Sequence, residues 1–284
     1  MSAEKGPTDR PIRIFSDVHF GDRASRVHSL AQLRPLCEGA SALILNGDTL
    51  DTRPGPDPDR SSRLLSEVRS FFSAVGPPTT LLTGNHDPSL SPHHACDLAD
   101  GQVFVTHGDI FYNNIVPWGH DAEFIRRRLR AATAETPVPG GLALEERLQL
   151  FRRVAASVPQ RHQSERNLLK FAIRFASDTV WPPWRILRIV KAWRVLPGLA
   201  EASTRRYRPK ARFAIVGHTH WPGVWRMPSG FIVINTGSFC RPLEGLAVDL
   251  VPGRLTVRRV DRIRGEYRPG RIIREFALAG SGPA

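Results

Sequence analysis

An α/β fold is predicted, with two β-sheets flanked by helices, and three observations predict it. Short apolar runs alternate with helix-spaced segments over the first 110 residues. Four of these runs, and a fifth just beyond residue 210, end in polar loops carrying Asp, Asn or His. Beyond residue 220 the runs are separated by turn sequences instead, as in antiparallel hairpins.

Residues 12–15 form a first buried strand, and residues 27–37 have helical spacing. Residues 42–45 form a second strand, stopped by Asn46-Gly47-Asp48. Residues 61–72 are helical, with Leu64, Leu65, Val68, Phe71 and Phe72 on one side. Residues 80–82 and 103–105 are the third and fourth strands, ending at Gly84-Asn85 and His107-Gly108. Unbroken apolar runs of this kind suit parallel strands covered on both faces. A helical segment follows, with helices expected at 122–132, 143–158, 164–177 and 184–196. Strands return at 213–216, 224–227, 231–234, 246–250 and 255–260, with turns at Pro228-Ser229-Gly230 and Pro252-Gly253. From residue 262 the Gly/Pro punctuation predicts a partly disordered tail.

The 284 residues are about twice the ~150-residue prior for a domain, so one domain with a sizeable insertion is expected. The divisions are a core of residues 1–110 and 211–261, a helical cap or lid of 111–210, and a tail of 262–284. With 41% apolar and 24% charged residues, whole-chain disorder is not expected. No run reaches the ~18 apolar residues of a membrane span, and the polar first ten residues lack the apolar stretch of a secretory signal. Cys37, Cys96 and Cys240 are odd in number and far apart, matching neither a disulfide framework nor a cysteine zinc site. They fit a reducing compartment, and a cytoplasmic location is expected.

The net charge is +13, from 40 basic and 27 acidic residues. Residues 111–210 hold 19 basic and 8 acidic residues, so most of the excess lies in the expected cap. That segment also carries four of the six tryptophans. A surface this basic seeks phosphate, in nucleic acid, anionic lipid or a phosphorylated substrate.

The chemistry-bearing residues follow the apolar strands: Asp17 and His19, Asp48 and Asp51, Asn85 and His86 with Asp87, His107, and finally His218 and His220. In an open α/β sheet ligands bind beyond the carboxyl ends of the strands, so five strand ends deliver these groups to one edge. Packed carboxylates and imidazoles need a partner, and divalent cations suit them.

The set Asp-x-His, Gly-Asp-x-x-Asp, Gly-Asn-His-Asp, a later His and Gly-His-x-His resembles the calcineurin-like metallophosphoesterases, over roughly residues 12–109 and 211–260. The resemblance implies a four-layer α-β-β-α sandwich, here with a helical insertion. It implies one metal held by Asp17, His19 and His220, a second held by Asn85, His107 and His218, and Asp48 bridging the two. A nitrogen and oxygen shell suits manganese, iron or zinc, and manganese is common among such relatives. Two cations about 3.5–4 Å apart lower the pKa of a shared water toward ~7 and neutralise phosphoryl oxygens. By the same resemblance His86 supplies a proton to the leaving oxygen, with Asp51 orienting its imidazole. Asp87 and Asp109 are expected to tie loops down or support the metal-binding residues.

The architecture also resembles bacterial UDP-2,3-diacylglucosamine pyrophosphohydrolases, which carry a helical lid between His-Gly-Asp and Gly-His-Thr-His but have Arg in place of His86. A phosphorylated, lipid-linked substrate taken at the inner face of the membrane is therefore one expectation. Residues 184–196, basic and apolar with tryptophan, have the pattern of a helix lying in a membrane interface; packing of the apolar side on the core is the alternative. A nucleic-acid or nucleotide phosphodiesterase whose basic insert tracks the phosphate backbone is a second reading. A non-catalytic binding module on the same fold is a third.

Overall fold

The computed structural model describes residues 10–135, 141–160 and 181–279, together with positions 167, 169, 170, 172, 173 and 176. The helix expected at 164–177 lies largely outside the described residues.

Two sheets form the centre. The first has the order β11-β10-β9-β1-β2-β3, from β1 (Ile12–Phe15), β2 (Ala42–Asn46), β3 (Thr79–Leu82), β9 (Leu246–Val251), β10 (Arg254–Ile263) and β11 (Glu266–Ala277). The second has the order β4-β5-β6-β8-β7, from β4 (Ala95–Leu98), β5 (Val103–Thr106), β6 (Phe213–Val216), β7 (Gly223–Arg226) and β8 (Ile232–Asn235). β1, β2 and β3 run parallel, as do β5, β6 and β8, and the outer strands pair antiparallel. Loops leaving the parallel strands therefore emerge on one edge.

Alternate side chains of each strand enter different layers, as the pleat requires. Ile14, Ile44, Val105, Ile215, Ile234 and Val248 meet between the sheets. On the outer face of the first sheet, Phe15, Leu43 and Leu45 pack on Leu36 of α1 (Arg34–Cys37) and on Val68 and Phe72 of α2 (Pro58–Ala74). On the outer face of the second, Phe104, Ala214, Val216 and Val233 pack with Ile125 of α3 (Ala122–Glu135), Leu148 and Phe151 of α4 (Leu144–Ala156) and Leu196 and Ala200 of α5 (Trp184–Tyr207). This is a four-layer α-β-β-α sandwich, whose last layer comes from the chain between β5 and β6. No helix among the described residues is long and apolar enough to cross a membrane.

Four expectations about elements are corrected. The helix expected at 27–37 is a 3-10 turn, Leu30–Leu33, followed by the short α1, because Pro35 supplies no N–H at the start of the new turn. α5 does not stop at Leu196 but runs through Pro197 to Tyr207, with Leu196, Pro197 and Ala200 buried. β4 was not expected: it is a half-buried edge strand with a weak apolar signal. The tail expected from residue 262 is instead largely strand, since β11 pairs with β10 along most of both strands. The register shifts between Val257 and Val260, facing the stretch that holds Pro269 and Gly270, so both are accommodated at an irregular edge.

Candidate metal centre

Each donor sits in the turn that follows a strand. Asp17 and His19 follow β1, Asp48 follows β2, Asn85 follows β3, His107 follows β5, and His218 and His220 follow β6. Five of them, Asp17, His19, Asp48, His218 and His220, adopt left-handed backbone with φ from 48° to 69°. Non-glycine residues enter this region at a cost, so the surroundings must hold them there. Backbone bonds between turns do so: Asp17 N–H donates to Gly47 O at 3.1 Å and His19 N–H to Asp48 O at 2.9 Å. Two glycines explain the tight spacing. A Cβ at Gly84 would collide with the Asp48 carboxylate, and one at Gly217 with that of Asp17.

The donors form two adjoining groups. In the first, Nε2 of His220 lies 3.3 Å from Asp17 Oδ1 and 3.0 Å from Nε2 of His19. In the second, the donor atoms of Asp48, His107 and His218 lie within 4.8 Å of one another. Asp48 Oδ2 faces both groups, 3.2 Å from His107 Nε2 and 3.7 Å from His19 Nε2. Its Oδ1 accepts from the His86 N–H at 2.8 Å.

The tautomers follow from partners outside the site. His107 Nδ1 donates to Asn46 O at 3.0 Å, which turns the Nε2 lone pair toward Asp48. His218 Nε2 donates to Ile115 O at 2.9 Å, which frees Nδ1. Asn85 Oδ1, His107 Nε2 and His218 Nδ1 are buried with no hydrogen-bond partner. Such orphaned acceptors are costly, and a cation would satisfy all three. By this test the residues fit a divalent metal.

The electrostatics are strongly coupled. Burial would raise the Asp17 and Asp48 carboxyls, but the surrounding imidazoles hold both well below the usual range. With a proton in the place a cation would take, the carboxylates push His19 and His107 up to about 9 and about 10 against the opposing effect of burial. His218, buried beside His107, is pushed down to about 4.

His86 sits over His19, ring centroids 5.0 Å apart. Its Nδ1 lies 3.1 Å from Asp51 Oδ2, the contact expected from the sequence. A second partner was not foreseen. Arg53 grips Asp51 with Nε at 3.0 Å and a terminal nitrogen at 2.6 Å, and that same nitrogen is 2.9 Å from His86 Nδ1. His86 Nδ1 thus lies within reach of both an acceptor, Asp51 Oδ2, and a donor, Arg53. Burial and the Arg53 charge lower the His86 pKa. Only the basic residue two positions after Asp51 signalled Arg53, in a stretch with loop composition.

Asp87 and Asp109 tie parts together. The Asp87 carboxylate accepts from the N–H groups of Asp48, Thr49 and Gly84 at 3.1, 2.6 and 2.5 Å, locking two donor turns to each other. Asp109 pairs with the buried Arg152 of α4, joining the insert to the loop that carries His107. Cys240, read from the sequence only as one of three unpaired thiols, also reaches the centre, and His120 lines the cavity beside it.

The chain matches the calcineurin-like phosphoesterase family over residues 10–222. No curated protein matches it. Among solved structures it is similar to a dimetal phosphatase from Danio rerio, with 16% identity, 96% of this chain and 100% of that chain covered and a TM-score of 0.45. It is also similar to Vacuolar Protein Sorting 29 from Cryptosporidium parvum, with 10% identity, coverage of 95% and 100%, and a TM-score of 0.45. A "predicted phosphoesterase" from Streptococcus pneumoniae shares 15% identity, with coverage of 94% and 98% and a TM-score of 0.38. The family match spans most of the chain and includes every donor named above, so the protein belongs to the calcineurin-like phosphoesterases and is a metal-dependent phosphoric ester hydrolase.

Proposed function

We propose that the substrate is an amphipathic phosphoester or pyrophosphate, hydrolysed at two divalent ions. One observation carries this reading: a cavity of about 390 Å³ joins the donor cluster to an apolar wall built by the insert. His19, Asp48, Asn85, His86, His218 and His220 line its polar part together with Asp22, Arg53, Asp121 and Arg241, and Val116, Trp118, Ile125, Val158, Ile189 and Trp193 form an apolar wall. Apolar walls around a few polar groups are the usual make-up of a pocket that takes a ligand with both characters.

Asp17, His19 and His220 would hold one ion and Asn85, His107 and His218 the other, with Asp48 between them. When bound, such ions acidify water and neutralise phosphoryl charge. The residues of the chain then divide the remaining work. His86 in its imidazolium form would give its Nε2 proton to the leaving oxygen, with the charged ring facing the Asp51 carboxylate that Arg53 holds in place. The apolar wall excludes water and orients the scissile bond by holding the non-reacting part of the substrate.

α5 supports delivery from an anionic membrane surface. Trp184, Leu187 and Val195 are exposed on its outer side among Arg188, Lys191 and Arg194, whereas Ile189 and Trp193 line the cavity. One helix thus faces both the surface and the apolar wall, and basic residues mixed with tryptophan and leucine suit a lipid interface.

The test is a series of p-nitrophenyl alkyl phosphodiesters of rising chain length, assayed with Mn²⁺ beside bis(p-nitrophenyl) phosphate and single-stranded oligonucleotides. The expected result is kcat/KM rising with each methylene, up to the ~0.8 kcal/mol per CH₂ of full burial. Asp17→Ala should abolish all turnover. Indifference to chain length with preferred cleavage of oligonucleotides would replace the amphipathic substrate by nucleic acid.

A further inference from the structure

The donor groups described so far contain only nitrogen and oxygen, yet a thiol stands beside the first. β8 ends at Asn235, and the loop after it folds back across the turn of β1. Phe239 N–H donates to Asp17 O at 3.1 Å, Arg241 N–H donates to Ala24 O at 3.1 Å, and Cys240 bridges to Ser25. The backbone on both sides of Cys240 is therefore fixed against the segment that carries Asp17 and His19. Cys240 is 5% exposed, and what it exposes lines the cavity. The donor atoms of Cys240, His19 and His220 all lie within 4.8 Å of one another, and His220 Nε2 is 3.3 Å from Asp17 Oδ1. The two imidazole nitrogens, 3.0 Å apart, thus have the Asp17 carboxylate beside them and a thiol within reach of both.

We infer that Cys240 is a further donor to the first ion, through its thiolate, beside Asp17, His19, His220 and the shared Asp48, and that this position therefore selects zinc or another thiophilic ion over manganese. The inference rests on the two-ion reading above. Thiolate beside imidazole suits zinc, and a soft sulfur ligand disfavours manganese, which prefers oxygen. Binding releases the thiol proton to solvent. Neither other cysteine has this setting among the described residues: Cys37 is buried in the α1 layer and Cys96 lies on the edge strand β4.

Cobalt(II) reports sulfur ligation directly. Wild-type protein loaded with Co²⁺ should show a near-ultraviolet sulfur-to-cobalt charge-transfer band that persists in Cys96→Ser and is lost in Cys240→Ser. In dialysis against equimolar Zn²⁺ and Mn²⁺, the zinc-to-manganese ratio bound should fall in Cys240→Ser by at least the ~10-fold that even an outer-shell partner is worth. Absence of the band from wild-type protein holding two cobalt ions per chain would overturn the thiolate and leave the paired centre standing, without recourse to any variant. An unchanged metal ratio in a Cys240→Ser protein that still binds two ions would do the same. Failure of the wild-type chain to bind two ions would remove the paired reading, and this inference with it.

Discussion

The strand-end turns, which leave both sheets, and the insert helices, which pack on the second, are built by opposite rules. In the turns, Asp17, His19, Asp48 and His107 are almost wholly buried, five donors sit in left-handed backbone, and amides of neighbouring turns fix the geometry. In the insert, α3, α4 and α5 are held by apolar packing of Ile125, Leu148, Phe151 and Leu196, with the Arg152–Asp109 pair as a polar anchor. The turns have no slack, because each donor atom must meet a common point. The packed helices tolerate exchange of similar volumes. The proposed function places reaction chemistry in the first region and substrate shape in the second.

Substitutions should separate the two. The largest effect is expected from Asp48→Asn, which removes the carboxylate facing both donor groups. It should abolish ion binding, read by elemental analysis, and cost more turnover than the ~10²–10³-fold typical of one lost electrostatic contact. His86→Ala should retain the ions and lower kcat by ~10²–10⁴-fold, the usual contribution of a positioned proton donor. Normal turnover by that variant would remove the proton-donor role. Asp109→Ala leaves Arg152 buried without its charge partner and should cost ~3–5 kcal/mol in chemical denaturation. A cost under 1 kcal/mol would show that the insert is anchored by packing alone. The smallest effect belongs to the cavity wall: Ile189→Ala should lower kcat/KM for a long-chain phosphodiester about tenfold and spare bis(p-nitrophenyl) phosphate. Equal losses on both substrates would mean that the wall supports the centre rather than the substrate.

The same contrast governs what the sequence discloses. The residues that gather at the strand ends were legible because each follows an apolar run that must be a buried strand, as Asp17 after Phe15 and Asp48 after Asn46. Arg53 and Cys240 were not, because their relation to the centre arises from loops folding back. Arg53 returns onto Asp51 and His86, and Cys240 is carried across the β1 turn by the loop after β8. Edge strands are hard to find for another reason: β11 mixes Arg and Glu with apolar residues in no regular alternation and contains Pro269 and Gly270, so neither burial nor composition marks it. Pro197 hid the second half of α5, whose buried Leu196 and Ala200 outweigh a missing hydrogen bond.

The account depends on two cations sharing the Asp48 carboxylate. Anomalous diffraction from crystals soaked in Mn²⁺ or Zn²⁺ tests this directly. Two peaks are expected, one beside Asp17, His19 and His220 and one beside Asn85, His107 and His218, each in contact with Asp48. A single peak, or peaks remote from Asp48, would contradict it.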